Sequence, residues 1–358
     1  MVPKSTFNGW ELHLFVDVAT SPKAASRREA AVTVPPLIRA LSVVPAGSDR
    51  GAAGLAALDA MLNRGAEVNE VLADRGYSFL KPERWARPLA SRGVQQVIDL
   101  HPNQRGVHPG PIPETVMIDG AVYTTAMPEH LWDLPSEKLG QSAAEKAEVA
   151  ARFDQRWPYA FSTQGNPDPE RGTQRYRGPA LAGRLRCPNS PKSMRKSPAK
   201  VPTSNCKKGQ SCACDKTVTL GPSASDRLQI RQRELYGTTR WKLSYSRRNA
   251  VESANSLLKN HYARLTRGNT QVRGTHRTAI LLALIIATVN MHLLRRRYGD
   301  DPACPPPGTG TVPPLPMDQS GARRRRVFTR PERSSGSAPP ESPPPLGDEE
   351  WAVGIPDA

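Results

Sequence analysis

The sequence predicts a mixed α/β fold, and three observations predict it. Residues 10–18 (WELHLFVDV) alternate apolar and polar side chains and are rich in β-formers, as a half-buried strand requires. Residues 51–64 place Leu55, Leu58 and Leu62 on one helical face and close on Gly65. Strand and helix patterns then follow as strand, strand, helix, strand, helix, strand over the first 100 residues, the order of a mixed sheet with helices on its faces.

Each element has its own justification. Leu41–Pro45 is a second, shorter strand. Glu70–Tyr77 holds a short buried strand, VLA, followed at once by Asp74, Arg75, Gly76 and Tyr77. Residues 82–92 open on Pro82, which suits the first helical position, and end at Gly93. Val94–Leu100 is a further strand. Residues 101–113 (HPNQRGVHPGPIP) read as a loop, and Thr115–Ala126 as a hairpin turning at Asp119 and Gly120. Residues 136–153 read as helical. Residues 165–226, rich in Gly, Pro, Ser and Lys, read as flexible, and helix resumes near Asp226 and runs to Tyr298. The expected organisation is a first core part (1–100), an insertion (101–226), a helical second core part (227–298) and a disordered Pro-rich tail (299–358).

Charge narrows the partners. The chain carries 50 Lys and Arg against 33 Asp and Glu, a net of +17. Residues 171–300 hold 27 of those cations and only 5 of the acids, so one block accounts for all the excess. A polyanion suits such a block, because each phosphate contact releases condensed counterions. No lysine-rich amphipathic helix points to a membrane surface. The longest apolar run, Ala279–Val289, is shorter than the roughly 20 residues a bilayer needs. It reads as a buried core helix, with Arg295–Arg297 at the end where cations suit the helix dipole. The N-terminal MVPKSTFNGW has no apolar h-region, and the cysteine count of five is odd. Both fit a reducing cytoplasm, with the protein on nucleoid DNA and no membrane partner.

Residues 245–262 (YSRRNAVESANSLLKNHY) concentrate the chemistry. On an uninterrupted helix, Tyr245, Arg248, Glu252, Asn255 and Lys259 share an arc of about 80°. Val251, Ala254, Leu258 and Leu265 fall on an adjacent arc that faces a core. The polar stripe sets one acid among cations, an arrangement able to hold a metal ion at a phosphodiester. The plainer alternative is an Arg248–Glu252 surface ion pair worth only about 0.3–0.5 kcal/mol.

Tyr245, Arg248, Glu252 and Lys259 complete the spacing Tyr-x2-Arg-x3-Glu-x6-Lys, which resembles the signature around the final acid of a group of DDE-type insertion-sequence transposases. VLADRGY (Val71 to Tyr77) resembles the segment bearing that family's second acid, which maps onto Asp74. The resemblance covers roughly residues 7–298 and thins in the cysteine-bearing insertion. It implies an RNase H-like fold in which Asp74 and Glu252 ligate Mg2+ or Mn2+, and Tyr245, Arg248 and Lys259 position DNA phosphates. It further implies cleavage at transposon ends, strand transfer by a 3′-hydroxyl, and a homodimer on DNA.

The first acid of the family departs from the pattern. Gly9-Trp10-Glu11-Leu12-His13 to Asp17 resembles the family's second strand, so the first, central strand and its aspartate are expected to be missing. The leading expectation is therefore a transposase shortened at its N-terminus and weak or inactive as it stands. Alternatives are that Asp17 is itself the first acid, or that a separate chain supplies the missing part. From another class, a non-catalytic protein would occupy transposon ends through the basic block 171–300.

Cys187, Cys206, Cys212 and Cys214 give a second candidate, a structural zinc site. Their C-x18-C-x5-C-x-C spacing lacks paired C-x2-C knuckles, and exposed free thiols in a flexible insertion are the alternative. Cys304 and the tail cluster Arg323–Arg326 carry no assigned role. His101 and His108 read as loop histidines, and neither a Gly-x-Ser-x-Gly turn nor a Walker-type phosphate loop is present.

Overall fold

The computed structural model describes residues 9–18, 35–138, 140–168, 170–223, 227–262, 265 and 272–298. The chain divides into the units Met1–Gly310 and Thr311–Ala358, and every described residue belongs to the first. The expected tail 299–358, with Cys304 and Arg323–Arg326, lies outside the described residues.

The alternating stretch at the start forms β1 (Trp10–Val16), antiparallel to β2 (Ile38–Pro45), with Leu12 opposite Val43 and Leu14 opposite Leu41. Asp49 then starts α1 (Arg50–Leu62), its carboxylate accepting from the Gly51 and Ala52 backbone N–H groups at 2.9 and 3.3 Å. β3 (Glu70–Ala73) is followed by the single turn α2 (Arg75–Ser78) and by α3 (Ala86–Ser91). α3 returns the chain to β4 (Gln95–Ile98), which lies parallel to β3 with Val71 opposite Gln96. Parallel neighbours need such a crossover. Leu58, Val71, Trp85, Leu89, Val97 and Ile98 build the core here, joined by Phe153, Tyr236 and Trp241 from later in the chain.

The class is mixed α/β, as the order of elements predicts. The sheet is not continuous: β1–β2 and β3–β4 are separate two-stranded sheets.

β5 (Val107–Pro109), β6 (Thr115–Ile118) and β7 (Ala121–Thr124) form an antiparallel sheet. Its hairpin turns at Asp119 (φ 50°) and Gly120 (φ 83°), both left-handed, as a two-residue type I′ turn demands. α4 (Ala143–Asp154) opens on a Ser142–Glu145 capping box. Beyond α4, Arg156 is 1% exposed and donates to Asp119 at 2.8 Å, to the Leu131 carbonyl at 2.7 Å and to the Trp132 carbonyl at 3.1 Å.

The stretch read as flexible is packed. β8 (Ser162–Thr163), β9 (Gln174–Arg177) and β10 (Thr217–Leu220) make a third antiparallel set, with the one-turn α5 (Pro191–Met194) between β9 and β10. Met117, Val122, Phe161, Val218 and Leu220 share one core between this sheet and the hairpin.

The C-terminal helical part is broken rather than continuous. α6 (Thr239–Ser246) and α7 (Asn249–Ser256) are separated at Arg247 and Arg248, and α7 runs into a π-turn, Leu257–His261. α8 (Thr275–Tyr298) covers β2 with Ile286 and Val289. Asn290 fixes it there, accepting from the Ile38 N–H at 3.0 Å and donating to the Ile38 carbonyl at 2.9 Å. By length and composition its 23-residue stretch Thr275–Arg297 would span a bilayer. The expected buried core helix is buried on one face only, for Ile280, Leu284 and Met291 are each more than half exposed.

Candidate functional site

A cavity of about 1560 Å³ lies between the β1–β2 and β3–β4 sheets. Consecutive residues of β1 (Glu11 to Val16) and of β3 (Glu70 to Ala73) line it. Side chains alone would alternate toward and away from such a space, so the strands present their edges to it. α6 packs on β4 and α7 on β1, so this pair of helices bridges the two sheets. Asp74, Arg248, Glu252 and Asn255 all line the same cavity.

Asp74 ends β3 and caps α2, one carboxylate oxygen accepting from the Gly76 N–H at 2.9 Å. A Cβ at Gly76 would stand 2.9 Å from both that oxygen and an Arg50 guanidinium nitrogen, so either side chain would have to shift. Asp74 forms no ion pair among the described residues. Its charge reaches three neighbours. Burial pushes the Tyr77 hydroxyl up to about 12, helped by Asp74 and Glu11. Burial lowers the His13 imidazole against the opposing pull of Glu11 and Asp74, and His13 Nδ1 shares a 2.8 Å hydrogen bond with the Tyr77 hydroxyl. Burial also raises Tyr245, with contributions from Asp99 and Asp74.

Glu252 sits on the first turn of α7 and accepts from Arg248 at 2.7 Å, the i,i+4 pair that the sequence offers as the plainer reading. The stripe drawn on one helix needs correction. Tyr245 is half-buried against the core: its ring stacks on Trp241 at 5.0 Å and 7°, and the Arg248 guanidinium lies 5.4 Å from its ring centroid as a cation–π partner. Lys259 falls in the π-turn, whose wider repeat displaces it, and it does not line the cavity. Ala254 and Leu258 face the core as expected.

The picture of one acid among cations also changes. Seven carboxylates and six arginines line the cavity. Arg39, Arg50, Arg240, Arg247 and Arg248 pair with Asp17, Glu11, Glu234, Glu70 and Glu252 respectively. The cavity is close to neutral, and the excess charge lies elsewhere.

Asp17 follows β1, 3.8 Å from Arg39, with its carboxyl raised by burial. It lines the same cavity as Asp74 and Glu252. A further acid was missed in the sequence: Asp99 ends β4 just as Asp74 ends β3, accepting from Arg75 Nε at 3.0 Å and from the Tyr236 hydroxyl at 3.1 Å. The signal was available, an apolar strand Val97-Ile98 ending in Asp99.

The four cysteines converge. Their sulfurs all lie within 4.8 Å of one another, and none is in a disulfide. Cys187 and Cys214 are fully buried, which overturns the expectation of exposed thiols. Burial pushes both of those thiols up. The loop histidines stay apart: His101 caps the turn at Pro102 by accepting from the Asn103 N–H, and His108 lies on β5.

No family model, no curated protein and no solved structure matches the chain.

Proposed function

We propose that the chain is a transposase-like DNA-binding protein of the DDE type, built on an RNase H-like core, acting on cytoplasmic DNA as a homodimer. One observation carries the reading. Asp74 at a strand end and Glu252 on a bridging helix, 178 positions apart in sequence, line a single cavity. The asparagine clamp that seats α8 on β2 supports reading that helix as a cover of the sheet.

Hard divalent ions such as Mg2+ take oxygen ligands. Among the described residues one Asp74 oxygen takes no hydrogen bond, whereas Glu252 is engaged with Arg248. That set fits one weakly held ion and falls short of the two-ion site of phosphodiester chemistry. The facing edges of β1 and β3 suggest the remedy. An extended strand seated between them would join the two sheets and bring a further carboxylate beside Asp74. Strand cleavage and transfer belong to the reading only with that strand in place. Non-catalytic binding of transposon ends is the second reading, favoured by the Arg248–Glu252 pair.

Mn2+ tests the site directly. Its paramagnetism should broaden the NMR signals of His13 and Tyr77, and Asp74→Asn should abolish the effect. Broadening elsewhere, or broadening that survives in both Asp74→Asn and Glu252→Gln, overturns the assignment. Mn2+-dependent nicking of supercoiled plasmid separates the catalytic reading from the binding one.

A further inference from the structure

We propose that Cys187, Cys206, Cys212 and Cys214 hold one structural zinc ion, and that this ion shapes a cationic module that contacts DNA phosphates. The ion does not depend on the reading above, whereas the choice of DNA rests on it.

Geometry comes first. Four thiolates around a tetrahedral ion at about 2.3 Å stand about 3.8 Å apart. Here Cys187 and Cys212 sulfurs are 3.7 Å apart, and those of Cys206 and Cys214 are 3.8 Å apart. The close pairs interleave in sequence, so one ion would tie three chain segments at one point. Among the described residues no carboxylate or imidazole joins the cluster, and an all-sulfur set selects a soft or borderline ion over Mg2+.

The surroundings suit a bound ion. The Asn189 side-chain amide donates to the Cys212 sulfur at 3.5 Å, and the Thr124 hydroxyl lies 3.5 Å from the Cys214 sulfur. Such outer contacts orient metal ligands. Asn189 also clamps the loop between Cys206 and Cys212, donating to the Lys207 and Gln210 carbonyls and accepting from the Gly209 N–H at 2.8 Å. Besides the cysteines, the apolar packing nearby is Ala126, Ala180 and Leu185 with the half-buried Tyr159. Segments with so little core commonly need a staple.

Charge supplies the function. Residues 171–214 contain eleven Lys and Arg and no acid. Lys192, Arg195, Lys196 and Lys200 are exposed on the loop from Cys187 to Cys206, and Lys207 and Lys208 on the loop from Cys206 to Cys212. These are the loops the ion would close. A tetrathiolate zinc centre carries a formal double negative charge, and the surrounding cations offset it while pointing outward to a polyanion.

The test uses the full chain. Elemental analysis by mass spectrometry should find stoichiometric zinc, released by a mercurial and lost in Cys206→Ser and Cys212→Ser. Metal-free protein with all five thiols of the chain titratable, two disulfides, or iron in place of zinc overturns the ion. Binding to duplex DNA, read by fluorescence anisotropy across salt concentrations, tests the module. Replacing Lys207 and Lys208 by Ala should leave zinc content unchanged and lower the salt slope by about 2. An unchanged slope with zinc in place refutes the DNA contact and leaves the ion standing.

Discussion

Replacing Arg156 by Met tests how the hairpin β6–β7 is anchored. The guanidinium is 1% exposed and holds Asp119, itself 5% exposed, at 2.8 Å. It also caps the Leu131 and Trp132 carbonyls and lies 4.7 Å over the Phe153 ring. Methionine fills much of the volume but leaves a buried carboxylate and two carbonyls without their donor. Removing one partner of a buried pair costs about 3–5 kcal/mol. Asp119 keeps Arg105 at 3.3 Å and the Gly106 N–H at 3.2 Å, so the lower end applies, about 3 kcal/mol. In a domain of this size that lowers Tm by about 6–12 °C. Urea denaturation followed by tryptophan fluorescence measures it, and pairing the change with Asp119→Asn should be clearly non-additive. A loss below about 1 kcal/mol at unchanged m-value would refute a buried anchor.

Other changes test other parts of the fold. Gly120→Ala should destabilise by more than 1 kcal/mol (about 1–3), since φ is +83° and the new Cβ would meet the Ile230 carbonyl. Equal stability in chemical denaturation would show that the turn relaxes. Thr238→Ala removes the cap that accepts from the Trp241 N–H at 3.2 Å and should cost about 1 kcal/mol, read as a shift in urea midpoint. The His13 imidazole is lowered on folding, so the unfolded chain binds the proton more readily. Its contribution to stability is present above the unfolded value of 6.5 and is lost as pH falls through the folded one. His13→Gln should flatten stability against pH in that window, and an unchanged slope counts against a buried neutral imidazole.

Much of the fold was legible in residue patterns. Asp119-Gly120 announced its hairpin because only a turn with both central residues left-handed joins strands so closely. The alternation of residues 10–18 and the leucines of residues 51–64 gave β1 and α1 within a few residues. What misled was continuity. A helical wheel assumes an unbroken helix, yet the chain turns at Arg247–Arg248 and widens at Leu257–His261, which takes Lys259 off the stripe, while Tyr245 stacks on Trp241. Composition also misled between residues 165 and 226, where Gly, Pro and Lys suggested flexibility. The cohesion there comes from long-range convergence of cysteines and the Asn189 clamp, which no local window reports. At the cavity, Asp74 and Glu252 were singled out by motif resemblance, while the compensating acids Glu11, Glu70 and Glu234 were not, because ion pairing across elements leaves no periodic trace.

Among the described residues β1 and β3 each pair on one edge only, and this has a kinetic consequence. In β1 alternate amides point to β2 and the intervening ones to the cavity, so hydrogen exchange along Trp10–Val16 should show a two-residue rhythm of slow and fast positions. Any strand that settled beside β1 would slow the fast positions and erase the rhythm. Amide exchange on seven residues thus becomes a gauge of whether the sheet is whole, independent of whether the protein ever cuts DNA.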